Sequence, residues 1–438
     1  MNETPSSKAD PPQPSPDLVV EIERIAYGGD GIGNLPDGKV VFVPGTLPGD
    51  RARLDITLDR KRFCRAEVLG FESESHLRQP ADCEHETRDG CGGCGFRHVS
   101  DEHALAIKAN SAVQACQRIA PQFEWPEPVL HPVDPLDTSR HRVHFHVQDG
   151  RLGLFKRGTR ELVEVPECKL AAPEVLQAAA AIQPLIDIGA SPGSAPERVL
   201  IETNSQGAFV TWKGPLSNGQ IEAITSLLAD NSIAGFAQRQ GRDFSEWGEP
   251  WMIGQADFGS RRLTFKRRIG TFGQATPQAN RLIQDRLVAL VESEGPTTLI
   301  DLYAGSGNLT LPCALPGIQV SAVEIDDRAL DGLRTSTQES GIDSLVTIER
   351  NLEEGCEDIL EGGYDLVILD PPRSGAREIA RAIGNSKPPV VAYVSCSPPH
   401  LARDLKEIGE EYVIESCDAF DMFPRTPQVE LLVVLRRR

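Results

Sequence analysis

Pro388-Pro389-Val390-Val391-Ala392-Tyr393-Val394-Ser395-Cys396-Ser397-Pro398-Pro399 is the stretch that decides the fold class. The β-favouring run 390–394 predicts a strand, and the small polar turn with its two prolines is expected to stop it. Cys396 then lies just past the strand's C-terminal end, the edge where open α/β sheets bind ligands. Two upstream strands end in the same way. Residues 364–369 run into Asp370-Pro371-Pro372-Arg373, and residues 299–303 run into Ala304-Gly305-Ser306-Gly307. Three strands therefore deliver a glycine loop, a carboxylate and a thiol to one edge, which reads as a cofactor site with a cysteine nucleophile beside it.

Outward from that stretch the β–α–β rhythm continues. Helices are expected at 278–292, 309–314, 328–339 and 376–384, and strands at 298–303, 319–324, 346–350, 365–369 and 390–394. A last pair, 412–417 and 429–435, reads as an antiparallel hairpin at the sheet's edge. Together these make a doubly wound sheet of about seven strands. Glu430 is the only carboxylate within the last strand, where an acid is either exposed at the edge or functional.

Gly305-Ser306-Gly307 follows a strand and opens a helix, so the backbone there can approach a cofactor closely. Glu324, at the end of the next strand, is placed to hold ribose hydroxyls. Thr310 stands where a Gly-x-Gly-x-x-Gly fingerprint would have its third glycine. That departure favours S-adenosylmethionine, which has no pyrophosphate to seat, over a nicotinamide cofactor.

Residues 1–16 carry five prolines and no apolar periodicity, and are expected to form a disordered tail. Four or five short strands with glycine corners then predict a small closed barrel of the oligonucleotide-binding type over 17–72. In it, 27–33 reads as a glycine-rich turn. A central α+β domain is expected over 73–270, with a helix near 103–120 able to pack on the catalytic domain, and a Rossmann-like domain over 271–438. Within the central domain Cys83, Cys91 and Cys94 are spaced C-x7-C-x2-C, and Cys168 lies 74 residues on. Four thiolates with one Cys-x-x-Cys pair suit either an iron–sulfur cluster or tetrahedral zinc. Cys64, Cys116, Cys313, Cys356 and Cys417 are isolated and read as buried structural thiols.

The chain has 438 residues, and its 45 Lys and Arg against 64 Asp and Glu leave a formal net charge of −19. That balance argues against indiscriminate nucleic-acid binding, which needs a broad cationic surface, but leaves room for a local basic path such as Arg60-Lys61-Arg62. No cationic start with an apolar run marks a signal peptide, and no stretch approaches the ~18 apolar residues that span a membrane. The expected compartment is the cytoplasm, where cysteines are thiols, ligands or nucleophiles rather than disulfides.

Asp301-Leu302-Tyr303-Ala304-Gly305-Ser306-Gly307, Asp370-Pro371-Pro372-Arg373, Ser395-Cys396-Ser397-Pro398 and the run from Asp421 to Glu430 resemble the RNA 5-methyluridine methyltransferases. The resemblance covers nearly the whole chain. It implies a TRAM domain for the barrel and a [4Fe–4S] cluster on Cys83, Cys91, Cys94 and Cys168. It further implies that Cys396 adds to uracil C6, that C5 takes the methyl of S-adenosylmethionine, and that Glu430 removes the C5 proton. Gln274, Tyr303, Asn308, Glu324, Asn351 and Asp370 would contact the cofactor, and Arg140 and Arg142 would meet RNA phosphate. Thr276, Ser397 and Gln428 depart from the family's usual Asn, Asn and His. Ribosomal RNA is the implied substrate and transfer RNA the alternative, with a monomeric enzyme expected. A non-catalytic RNA-binding or redox-sensing protein is the rival from another class, and a nicotinamide oxidoreductase a more distant one.

Overall fold

The computed structural model describes residues 18–188, 196, 198–241 and 243–438; the tail expected over 1–16 lies outside them. Strands β1 (Val19–Ile25), β2 (Gly31–Asn34), β3 (Val40–Val43), β4 (Arg51–Asp59) and β5 (Phe63–Ser73) close into a barrel in the order β1-β2-β3-β5-β4. Alternation makes its core: Val20 and Ile22, Ala52 and Leu54, and Cys64 and Ala66 point inward from three strands. Part of the stretch expected as a turn is strand β2. A Cβ on Gly33 would lie 2.5 Å from the Glu21 carbonyl oxygen, so that glycine serves close strand approach.

A short helix α1 (Glu84–Thr87) sits in the cysteine-rich loop, followed by the long helix α2 (Asp101–Ile119) and strand β6 (Val129–His131). The central unit is a sheet of β7 (Arg142–Gln148), β8 (Arg151–Phe155), β9 (Leu162–Val163), β10 (Arg198–Asn204), β11 (Gly207–Lys213), β12 (Gly235–Gln240) and β13 (Asp243–Gly248), in the order β13-β12-β11-β10-β7-β8-β9. Helices α3 (Pro173–Ile188) and α4 (Asn218–Ala229) pack against it through Val175, Ile182 and Ile224, which meet Trp212 and Phe236. A separate hairpin, β14 (Trp251–Phe258) with β15 (Arg261–Arg268), leads into the last unit. Strands dominate this central unit.

The C-terminal unit runs α5 (Pro277–Glu294), β16 (Thr298–Leu302), α6 (Thr310–Cys313), β17 (Gln319–Glu324), α7 (Asp327–Glu339), β18 (Leu345–Glu349) and α8 (Glu357–Leu360). It continues with β19 (Leu366–Leu369), α9 (Arg377–Ser386), β20 (Val390–Ser395), α10 (Pro398–Ile408), β21 (Tyr412–Phe420) and β22 (Glu430–Arg437). Its eight-stranded sheet has the order β18-β17-β16-β19-β20-β22-β21-β6. The five strands from β18 to β20 are parallel, and β22 is antiparallel to both its neighbours.

The strand stops before Cys396 as expected, and Pro398 and Pro399 open helix α10, because the first helical turn needs no N–H from its residues and proline's fixed φ suits it. One expectation changes here. The last hairpin is not at the edge: β22 lies between β20 and β21, and β6 covers the outer side of β21. Residues Glu430 to Leu435 are all buried, as the two-sided burial of a central strand requires.

Helix α2 lies on this C-terminal sheet and not on the sheet that follows it in sequence. Leu105, Ala109, Ala112, Val113 and Cys116 share one core with Tyr393, Leu401, Leu405 and Leu431. Lys108, fully buried, donates from Nζ to Asp421 Oδ1 at 2.6 Å and to the Phe423 carbonyl at 3.0 Å. None of the described helices is long and apolar enough to cross a membrane. Lys108→Ala leaves Asp421 charged and unpaired in the interior; the expected loss is about 3–5 kcal/mol of stability, read from the first transition in urea unfolding.

Candidate active site

The parallel strands β16, β19 and β20 stand side by side, so the loops after them meet at one edge. After β16 the chain turns through Tyr303, Gly305 and Gly307, all at positive φ. Gly307 is required twice over, since a Cβ there would sit 2.4 Å from Leu333 Cδ1. The Gly305 N–H donates to Glu324 Oε2 at 2.9 Å, while Glu324 Oε1 accepts from the N–H groups of Ile325 and Asp326 at 2.7 and 2.9 Å. Asp301 is buried under the loop. Its Oδ2 accepts from Thr310 Oγ1 at 2.5 Å, and burial raises its carboxyl to about 7. Thr310 thus uses the place of the missing third glycine to hold an acid.

A cavity of about 480 Å³ opens beside this loop. Gln274, Tyr303, Asn308, Asp370 and Gly305 line it; Glu324 does not, but it accepts from the Gly305 N–H. Gln274 Nε2 donates to Asp370 Oδ2 at 3.4 Å. Asn351 is not among the lining residues. Its side chain accepts from the Glu353 N–H at 3.1 Å and donates to Glu354 at 2.8 Å, capping the turn Leu352–Glu354. Sequence reasoning missed the other walls. Asn280 and Gln284 of α5 donate to Asn308 Oδ1 at 2.9 and 3.0 Å, and β14 supplies Met252, Ile253 and Gln255. These side chains carry no motif, and only the packing of α5 and the hairpin brings them to the loop.

Cys396 follows β20 and is half-buried; Glu430 begins β22 and is 3% exposed. The register Ser395↔Leu431 sets the two residues at the same end of neighbouring strands. Burial, reinforced by Glu430, pushes the Cys396 thiol up to about 11, and Arg373 of the Asp-Pro-Pro-Arg corner opposes that shift. Burial and then the neighbouring Asp370 hold the Glu430 carboxyl well above its usual range, again against Arg373. Burial raises Asp370 to about 7. Arg373 is therefore the cation that favours the charged forms of both Cys396 and Glu430, a role the motif alone did not reveal. Thr276 Oγ1 donates to the Met422 carbonyl at 2.9 Å, and Ser397 Oγ sits 2.8 Å from His400 Nδ1. Two of the three departures are thus hydrogen-bonded within this same edge.

Cys83, Cys91, Cys94 and Cys168 line a second, much smaller cavity, of about 20 Å³, with Arg97 and Arg140. All ten cysteines are free, and the five expected to be structural are all buried. The Gly93 N–H donates to Cys91 Sγ at 3.4 Å, and a Cβ on Gly92 would lie 3.0 Å from the Phe155 carbonyl oxygen. Among the described residues no group of three or more His, Cys, Asp or Glu is arranged to hold a metal ion. Arg140 and Arg142, expected to meet RNA, turn inward. Arg140 faces Cys94 and Cys168, and Arg142 pairs with the buried Glu202 at 2.9 Å. Arg60, Lys61 and Arg62 are exposed at the β4–β5 turn.

Residues 251–438 match the family model described as tRNA (Uracil-5-)-methyltransferase. The C-terminal unit is thereby similar to a methyltransferase. Residues 18–69 match the TRAM domain model. A 23S rRNA (uracil(1939)-C(5))-methyltransferase of Acidithiobacillus ferrooxidans is 29% identical over 432 residues, covering 95% of this chain and 97% of that one. The enzyme of the same name from Francisella tularensis subsp. novicida is 26% identical over 439 residues, covering 95% and 96%. Among solved structures, the Pyrococcus abyssi tRNA (uracil-54, C5)-methyltransferase in complex with S-adenosyl-L-homocysteine shares the fold. Its TM-score is 0.69 at 20% identity, covering 95% of this chain and all of the other.

The buried acids give the fold a pH dependence. Asp370 holds a proton in the native state up to about 7, whereas its ordinary value is 3.8. The native state therefore binds more protons than the unfolded chain between these values, and stability falls as pH rises through that window. Asp370→Asn should flatten the slope and raise the melting temperature at pH 8 by roughly 5 °C, as read from melting curves between pH 4 and 8.

Proposed function

We propose that this chain methylates C5 of a uridine in large-subunit ribosomal RNA, using S-adenosylmethionine. The observation that carries the proposal is the placement of Cys396 and Glu430 at one strand end beside the Gln274–Asp370 cavity. The substrate class rests on the relatives at 26–29% identity that extend over nearly the whole chain. Uracil C5 is a weak nucleophile until the 5,6 double bond is saturated, so a covalent step is needed. Cys396, as the thiolate, adds to C6 and leaves the electron pair on C5 and the O4 enolate. Bound S-adenosylmethionine supplies an electrophilic methyl group, and C5 takes it. Glu430 removes the proton from C5, the C6–S bond breaks, and Cys396 is released as thiolate. Arg373 lowers the cost of the thiolate and of the Glu430 carboxylate in this buried edge. Gln274, Tyr303, Asn308, Asp370 and, through the Gly305 loop, Glu324 would hold the donor. The uridine must leave its stack to reach the thiol.

The same reading assigns a [4Fe–4S] cluster to Cys83, Cys91, Cys94 and Cys168. In support, Arg97 and Arg140 lie against that cavity with Nε atoms that lack hydrogen-bond partners among the described residues, and Arg140 faces Cys94 and Cys168. An anionic cluster satisfies such guanidinium groups, whereas neutral thiols do not. The exposed Arg60-Lys61-Arg62 turn of the TRAM barrel is the local basic path for RNA on an otherwise acidic chain.

Cys396→Ala is expected to abolish methyl transfer to a 23S rRNA transcript while leaving S-adenosylmethionine binding intact. Glu430→Gln should accumulate a protein–RNA adduct that survives denaturing gels. Full turnover by either variant overturns the assigned roles, and methylation of transfer RNA in preference to 23S rRNA overturns the substrate class. Protein purified without oxygen should contain about four iron and four sulfide per chain, and Cys168→Ser should lower both.

A further inference from the structure

Tyr27 carries a direct contact from the barrel to the catalytic edge. Tyr27 lies in the turn between β1 and β2, and its hydroxyl donates to the Cys396 carbonyl oxygen at 3.0 Å. Its ring packs on the core that holds Tyr393 and Leu431, in the strands that carry Cys396 and Glu430. The turn is built for this reach. Gly28 and Gly29 both have positive φ, and the Gly29 N–H donates to the Ala26 carbonyl at 2.9 Å. A Cβ on Gly29 would lie 2.8 Å from Pro427 Cβ and 3.0 Å from Phe96 Cε2, so the tip is wedged against the loop that precedes Glu430. Phe96 secures the same loop, its N–H donating to the Arg425 carbonyl at 3.0 Å. The barrel thus contacts both catalytic loops, one by hydrogen bond and one by close packing.

We propose that Tyr27 is a positioning residue for the methyl-transfer reaction. Its hydroxyl fixes the main chain at Cys396, and the seating of Gly29 on Pro427 fixes the approach to Glu430, so that the barrel sets the geometry of the thiol against the carboxylate. The barrel then contributes to the chemical step and not only to RNA capture. This rests on the reading of Cys396 as nucleophile. Burial and the nearby Cys396 keep the Tyr27 phenol neutral, at about 12, so it remains a donor at any working pH.

The test is steady-state and single-turnover methyl transfer from S-adenosylmethionine to an unmodified 23S rRNA transcript, with the full-length chain. Tyr27→Phe removes one oxygen. The expected result is a fall in kcat of about three- to tenfold, the range for one lost hydrogen bond, with KM for RNA unchanged. S-adenosylmethionine binding should be unchanged and alkylation of Cys396 by iodoacetamide slowed. Gly29→Ala, which crowds Pro427, should reproduce the kcat loss and decides the matter if Tyr27→Phe does not fold. A wild-type kcat in the folded variants, or a loss confined to KM, overturns the proposal. Cys396→Ala separates the two readings: if it is inactive while Tyr27→Phe behaves as wild type, only the positioning role fails. If Cys396→Ala is active, the nucleophile assignment fails and this proposal with it.

Discussion

The pairing of β22 with β20 in the middle of the C-terminal sheet is the constraint on which the site depends. That pairing buries an unbroken apolar run from Leu431 to Leu435 and carries Glu430 inside at its first residue. An acid buried in this way is costly unless something offsets its charge. Here Arg373 offsets it while Asp370 and the Cys396 thiol add to it. A half-buried thiol, two acids with raised values and one cation are thereby confined to one end of two strands. Perturbed groups concentrated in this way are what acid–base chemistry requires, and they make the fold less stable than an apolar edge would.

Around this edge the chain is stapled by segments distant in sequence. Helix α2 crosses from the barrel onto the C-terminal sheet, and its buried Lys108 grips Asp421 and the Phe423 carbonyl at the start of the loop before Glu430. Thr276 holds the same loop at Met422, and Phe96 holds it at Arg425. Strand β6 closes the outer side of β21, with His131 stacked on Phe420 at 4.4 Å between ring centroids. The loop from Asp421 to Glu430 is therefore fixed from three sides. The base proposed at Glu430 would need that rigidity to reach one proton.

Much of this was legible because local rules sufficed. The glycine loop, Asp-Pro-Pro corner and cysteine turn each follow an apolar strand, and parallel strands place such turns at one edge by geometry alone. Gln274, Tyr303, Asn308 and Asp370 do line one cavity, and four cysteines spread from Cys83 to Cys168 line another. Asn351 did not join the first group because its amide is spent capping the turn after β18. Arg140 and Arg142 were misplaced because an arginine in a strand has the same local pattern whether it meets solvent or a buried partner. Only the packing of β7 against β10 discloses Glu202.

The sequence by itself determined the parallel strands β16 to β20, which residues stand at their ends and which side chains have the chemistry to react, since these follow from short-range periodicity and turn preference. The order β20-β22-β21-β6, the burial of Glu430, the cation beside it and the reach of Tyr27 from the barrel were decided only in the tertiary structure. The physical reason is that these depend on contacts across up to 369 residues, where the free energy of packing, rather than any local preference, selects the partner.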